Sequence, residues 1–133
     1  MSVSESDQPV YVLRYTSDFF ADLRKGWEHF RLFASEEIAD EWQGSLIRAV
    51  IGILENPFAH PLAAEYEYFR KPMRRLLYRR TPSSVAYRVL FFVDVPAPQA
   101  DGTMATPVVI VAALHASARP LSVRKARELE RRN

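Results

Sequence analysis

The sequence contains no cysteine, so disulfide bonds and thiolate metal sites are both excluded. It also contains no apolar run near the roughly 18 residues that a membrane-spanning helix needs. Its three histidines, His29, His60 and His115, lie far apart without the spacing of metal ligands, and we expect neither a metal nor another cofactor. The first ten residues lack the basic start and apolar stretch of a signal peptide. These absences predict a cytoplasmic domain without a membrane partner.

The composition that is present is typical of one folded domain. Of the 133 residues, 48% are hydrophobic and 26% are charged, which is enough for a hydrophobic core in a single domain over residues 1–133. We expect residues 1–9 to form a flexible N-terminus and residues 122–133 a charged tail or terminal helix. The net charge is only +2, but acids crowd into the first half and arginines into residues 70–88 and the tail. This asymmetry favours an anionic partner.

Hydrophobic periodicity and capping residues predict an α+β fold. Residues 10–15 alternate as a strand, and "TSD" at 16–18 supplies caps for a helix. Ser35 caps a second helix, which ends at Asn56-Pro57 because proline disfavours helix in the residue before it. Three β-like runs follow, "MRRLLYRRT", "VAYRVLFFVDV" and "VVIVAALH", with a long flexible loop before the last. The order predicts an N-terminal strand, an antiparallel helical hairpin and a three-stranded antiparallel meander, all strands forming one antiparallel sheet.

The first two of these runs predict a register. If "TPSS" closes a turn with an even number of residues, Tyr78 faces Tyr87 and Leu77 faces Arg88. One face is then a core face, made of Leu76, Tyr78, Tyr87, Val89, Phe91 and Val93. The other face gathers the arginines, with Arg75, Leu77, Arg79, Arg88 and Leu90. A shift of one residue would reverse both faces, so the prediction depends on the turn length.

The arginines of the second face have two interpretations. Guanidinium groups held close together repel one another, so they need anions nearby. Arg75 and Arg79 either pair with acids such as Glu65 and Glu67, or bind phosphate, because the planar fork of arginine suits two oxygens at once. Under the second interpretation the phosphate-binding or RNA-binding set is Arg74, Arg75, Arg79 and Arg119, beside Arg88.

The ordered set of motifs resembles the RelE/ParE superfamily of toxins from type II toxin–antitoxin systems. The resemblance covers residues 10–121. It includes "LRYTSDFFADL" leading from strand into helix, "NPFAHPLAAE" closing the hairpin, "MRRLLYRR" with "VAYRVLFFV" as the central strands, and "VVIVAALHASAR" as the last strand. It implies a RelE/ParE-like fold and a growth-inhibiting toxin, of the kind associated with plasmid stabilization, that is neutralised by a cognate antitoxin. It also implies that operator DNA is contacted only indirectly, through the antitoxin.

The resemblance offers two molecular targets. RelE-like members cleave messenger RNA on the ribosome without a metal. This implies that Arg88 contacts the scissile phosphate and that His115, which we expect to stand beside the arginine cluster, takes part in catalysis. ParE-like members block DNA gyrase. Many RelE-like toxins carry a tyrosine near the C-terminus, whereas no aromatic residue follows His115, and "HASARPL" is similar to the ParE-like ending. This difference favours inhibition of gyrase or a related target. A metal-independent endoribonuclease, and an inactive or repurposed partner-binding member, stay open as alternatives.

Overall fold

A computed structural model describes residues 9–118 and 120–132. The five strands are β1 Tyr11–Tyr15, β2 Arg74–Tyr78, β3 Tyr87–Val93, β4 Ala97–Pro98 and β5 Met104–His115. The three α-helices are α1 Ser17–Phe33, α2 Glu36–Gly52 and α3 Val123–Arg132. The predicted α+β class is therefore confirmed. The predicted N-terminal segment 1–9 lies, except for Pro9, outside the described residues.

The sheet is mixed rather than wholly antiparallel. Its order is β1-β5-β3-β2, and β1 runs parallel to β5 while β5, β3 and β2 are antiparallel to one another. The predicted long loop before the last strand is partly ordered, because β4 pairs with the start of β5 and Gly102 adopts a φ of 85° in the connection. The last strand consequently begins at Met104, earlier than the apolar run indicated.

The helical hairpin begins where the sequence predicted. Thr16 accepts a hydrogen bond from the Phe19 amide, and Ser35 accepts one from the Ile38 amide, so both helices have side-chain N-caps. The apolar stripes of α1 and α2 pack on the core face of the sheet around Trp42 and Phe91.

Helix α1 also supplies hydrogen-bond partners to β5 where β1 has ended. Val111 has no partner on β3, because Leu90 pairs with Ala112 while Phe91 pairs with Ile110. The Thr16 hydroxyl donates to the Val111 carbonyl over 2.9 Å. A carboxylate of α1, Asp22, accepts from the Ala113 amide, also over 2.9 Å. The edge of β5 is therefore satisfied by side chains of α1 beyond the last residue of β1.

A second layer covers the other face of the sheet. The predicted charged tail forms α3, and its Ala126 and Leu129 are buried in a second core with Leu90, Phe92 and Val111. The segment between α2 and β2 also contributes, through buried residues such as Phe69. Both faces of the central strands are thus covered, which accounts for their nearly continuous apolar sequence. None of the described helices is long and apolar enough to span a bilayer.

Candidate functional site

The β2–β3 ladder has the register that the sequence predicted. Tyr78 pairs with Tyr87, and Leu77 pairs with Arg88. The turn that sets this register is closed by the Ser84 amide, which donates to the Thr81 carbonyl over 3.0 Å. The predicted core face is confirmed, because its residues belong to the core beneath the helical hairpin. The arginine-bearing face therefore lies on the side of α3.

Arg88 is engaged by a carboxylate inside the protein. Its two terminal nitrogens donate to the two oxygens of Glu65 over 2.8 and 3.0 Å, and the Leu121 amide donates to the same carboxylate over 3.0 Å. The Glu65 side chain is only 1% exposed and that of Arg88 only 12%. Burial alone would raise the pKa of Glu65, but the hydrogen bonds from Arg88 and Leu121 and the Arg88 charge outweigh it, and the pKa lies below its ordinary value. The carboxylate is therefore held ionised against the guanidinium.

The remaining predicted arginines are dispersed. Arg79 donates to the Ser84 carbonyl over 2.8 Å, within its own turn. Arg74 pairs with Phe91, so it lies on the side of the helical hairpin, and it donates to the His60 carbonyl over 2.6 Å. The Arg75 side chain has no hydrogen-bond or ion-pair partner within residues 9–118 and 120–132. The fifth predicted residue, Arg119, lies outside the described residues.

His115 and Arg88 are not brought together. His115 pairs with Tyr87, whereas Arg88 pairs with Leu114. Successive side chains of a strand point to opposite faces, so His115 lies on the side of the helical hairpin and Arg88 on the side of α3. The ring of His115 meets Tyr87 edge-on, with centroids 5.4 Å apart, and the Ser117 amide donates to its Nδ1 over 3.3 Å. The expectation that this histidine stands beside the arginine cluster is therefore wrong.

His115 instead lines a depression of about 280 Å³ between the end of β5 and α1. Four other titratable side chains line it as well: Asp22, Lys25, His29 and Tyr87. Burial raises the pKa of Asp22, although the Ala113 amide and the charge of Lys25 act in the opposite direction. Burial also raises the pKa of Tyr87. The depression offers proton donors and acceptors, but none of the described residues that line it is an arginine that could stabilise a phosphorane-like transition state.

The rings of the other two histidines pack against phenylalanine side chains. His60 packs edge-on against Phe91, and burial, followed by the charge of Arg74, lowers its pKa. The ring of His29 contacts Phe33, with centroids 4.9 Å apart. Sequence reasoning missed Asp22 and the identity of the Arg88 partner. Neither has a local signal, because both depend on contacts between distant segments of the chain.

Comparison of the sequence with known families and curated proteins identified no relative. No model of a known protein family matches the chain, and no curated protein matches its sequence. Family and function are therefore inferred from the residues themselves.

Proposed function

We propose that the protein is a toxin of a type II toxin–antitoxin system with a RelE/ParE-like fold, and that it arrests growth by ParE-like inhibition of DNA gyrase or a related target. The element order supports the fold, since a strand and a helical hairpin precede β2, β3 and β5, which are antiparallel to one another within one mixed sheet. The sequence motifs support the family. A protein that binds its target, rather than one that cleaves RNA, agrees best with the geometry of the two residues offered for catalysis.

One observation carries the preference for inhibition over cleavage: Arg88 is bound by Glu65 and lies across the sheet from His115. Attack of a 2′-hydroxyl on a phosphate needs positive charge and a proton-transfer group at the same phosphorus atom. Two side chains on opposite faces of a sheet do not meet that requirement. Moreover, a phosphate would have to displace a buried carboxylate from both terminal nitrogens of Arg88.

The helical hairpin offers the surface that an inhibitor needs. Its exposed apolar side chains, named here the hairpin patch, are Phe20, Leu32, Phe33 and Ile51. Their exposed fractions are 53, 65, 79 and 49%. Exposed apolar side chains supply contact area for a protein partner. The arginine-bearing face of the sheet is less available to an antitoxin, because α3 buries Leu90 and Phe92 there and leaves Leu77 half-exposed. We therefore propose that an amphipathic antitoxin segment binds across the helices through its apolar face.

The RelE-like alternative retains one supporting observation. The guanidinium of Arg75 has no partner among residues 9–118 and 120–132, and Arg79 is held only by a backbone carbonyl on the same exposed turn. These two side chains are available to a phosphate without disrupting the core. An endoribonuclease built on them would need a proton-transfer group other than His115.

Induction in cells, with two readouts, tests the proposal. Primer extension on a reporter message detects cleavage on the ribosome, and plasmid supercoiling detects loss of gyrase activity. We expect intact messages with relaxed plasmid. Cuts phased to the ribosomal A site, with normal supercoiling, would exclude gyrase inhibition and favour the endoribonuclease. Normal growth with neither effect would leave a repurposed binding protein as the remaining alternative.

Matched surface variants locate the target-binding face. The double substitution Phe20→Ser/Ile51→Ser should abolish growth arrest and gyrase inhibition, because it removes two side chains of the hairpin patch. Val95→Ser, at a side chain that is 66% exposed outside the helices, is the control and should leave both unchanged. Retained inhibition in the double variant would exclude the hairpin patch as the docking surface. Co-purification with the product of the neighbouring gene tests for the antitoxin.

A further inference from the structure

Helix α3 lines a charged groove that the proposed function does not use. The groove has a volume of about 660 Å³, and every described residue that lines it is charged. These side chains, named here the α3 groove, are Arg70, Arg124, Arg127, Glu128, Glu130 and Arg131. Four cations and two anions therefore face one depression, in a protein whose whole net charge is only +2.

The folding of α3 creates this concentration of charge. The helix has ten residues, and only Ala126 and Leu129 among them are buried. Because these two positions are three residues apart, they lie on one side of the helix and fix its orientation on the sheet. Arg127 and Arg131 are four residues apart and exposed, so they stand one turn above the other on the outer side.

The two carboxylates of the groove are already engaged. Glu128 pairs with Nε of Arg124 over 3.4 Å. Glu130 accepts a hydrogen bond from the Arg70 backbone amide over 2.6 Å. The guanidinium groups of Arg70, Arg127 and Arg131, by contrast, have no partner in the described part of the chain. Three arginine forks are therefore available to an external anion without the loss of an internal ion pair.

The basic surface continues past the end of the groove. A second depression shares Arg70 and Glu130 with the first. It adds Arg14 of β1, Lys71 and Asp94, together with apolar residues that are buried, such as Phe69 and Phe92. Lys71 pairs with Asp94 over 3.0 Å. Arg14 is exposed and has no hydrogen-bond or ion-pair partner among the described residues, although its charge also acts on Asp94. The cations thus form a track from α3 to β1. An elongated track suits a polymer with repeated negative charges better than one small anion.

The chemistry of the lining selects among polyanions. An acidic protein segment normally needs an apolar centre in its binding site, but the described residues that line the α3 groove are all charged, and the apolar residues of the second depression are buried. Single-stranded nucleic acid is normally held by aromatic side chains that stack on its bases. None of the described residues that line the groove is aromatic, and Phe69 and Phe92 of the second depression are buried. A phosphate backbone needs only arginine forks and positive charge. We propose that the α3 groove binds the phosphate backbone of a nucleic-acid duplex, without reading its sequence.

This proposal does not rest on the toxin assignment, and it is tested on the purified protein. Fluorescence anisotropy is measured with a labelled DNA duplex of about 20 base pairs, long enough for every contact that the track offers. A labelled RNA duplex, the separated single strands and poly-glutamate are measured in parallel. We expect duplex binding that weakens as salt is added and that is tighter than binding of the single strands or of poly-glutamate. The DNA and RNA arms show which duplex supplies the phosphates.

A matched pair of double variants assigns the binding to the groove. Arg127→Ala/Arg131→Ala should lower duplex affinity about tenfold at low salt and reduce the slope of log K against log salt by about two, since each lost phosphate contact removes nearly one. Arg24→Ala/Arg48→Ala removes the same charge from exposed positions on the helical hairpin, and it should change the affinity less than twofold. Circular dichroism verifies that both variants are folded.

Three results would overturn the proposal. The first is equal loss of affinity in the two double variants, which would mean that only net charge matters. The second is no loss in Arg127→Ala/Arg131→Ala. The third is tighter binding of poly-glutamate than of either duplex, which would identify the groove as a site for an acidic protein.

Discussion

Glu65 and Arg88 form a buried ion pair that can be broken by substitution of either residue. This perturbation best separates a structural from a catalytic role for Arg88. The pair joins three segments of the chain, since the Leu121 amide also donates to Glu65. If Arg88 served an external phosphate, Arg88→Ala would leave a stable, inactive protein. Because it is bound by a buried carboxylate instead, the same substitution should destabilise the fold.

The magnitude follows from what the substitution leaves behind. Arg88→Ala removes two of the three hydrogen bonds that the Glu65 carboxylate receives from Arg88 and Leu121, at a side chain that is 1% exposed. Breaking a buried ion pair from one side costs about 3–5 kcal/mol, because an uncompensated charge stays buried. Glu65→Gln should cost a similar amount. The double variant Glu65→Leu/Arg88→Met should lie closer to wild type than either single variant, since no buried charge is left.

Urea denaturation, followed by circular dichroism, measures these free energies. The control is Glu28→Gln, which breaks an ion pair with Arg31 whose side chains are 46 and 42% exposed, and it should cost less than about 1 kcal/mol. A cost for Arg88→Ala no larger than that of the control would refute the reasoning. In that case the Glu65 contact would be dispensable, and Arg88 would again be a candidate for phosphate binding.

The pH dependence of stability provides an independent check on Glu65. Its pKa in the folded protein lies below the ordinary value of 4.5. Between the pKa of the folded protein and this ordinary value, the unfolded chain binds more protons than the folded protein, so stability rises with pH. The ion pair therefore contributes fully above pH 4.5, and its contribution is lost as the pH falls towards the folded pKa. The difference in unfolding free energy between wild type and Glu65→Gln should shrink on acidification from pH 6; a constant difference would contradict it.

Three further substitutions test the packing, each by urea denaturation. Gly26→Ala should cost about 1–3 kcal/mol or more, because a Cβ there would overlap the ring of Trp42; a neutral effect would mean that the helices separate easily. Thr16→Ala should cost about 1–2 kcal/mol, since it removes both the α1 cap and the bond to the Val111 carbonyl, and Thr16→Ser should restore most of it. Leu129→Ala should cost about 2–5 kcal/mol and expose α3 to proteolysis; unchanged protease resistance would show that its burial is unimportant.

The sequence predicted those features that depend on local spacing. Thr16 and Ser35 indicate where the two helices start, because each hydroxyl caps an amide only three residues further along the chain. The even turn at residues 81–84 determines which side chains of β2 and β3 share a face, and that prediction is confirmed. Both signals act between residues that are close in sequence, so neither needed knowledge of the rest of the fold.

The features that the sequence did not predict depend on pairings across long connections. His115 was expected beside the arginines, but its face depends on the register between β3 and β5, and a long connection with its own short strand separates them. The parallel pairing of β1 with β5 joins segments about 95 residues apart. The Glu65 partner of Arg88 comes from an irregular segment whose path over the sheet has no periodic signal.

Helix α3 explains why the location of the basic surface was the hardest feature to predict. Its sequence is dominated by charge, and two buried side chains alone, Ala126 and Leu129, do not offset the entropy of ordering ten residues. Polar contacts therefore contribute to its position: Arg132 donates to Asp18 over 2.9 Å, and Glu130 accepts from the Arg70 amide. Once the helix is held in this way, it covers the arginine-bearing face of β2 and β3, for which phosphate binding was one of the two interpretations. It also directs its own arginines outward, so the basic surface that the charge asymmetry predicted lies on α3 rather than on the central strands.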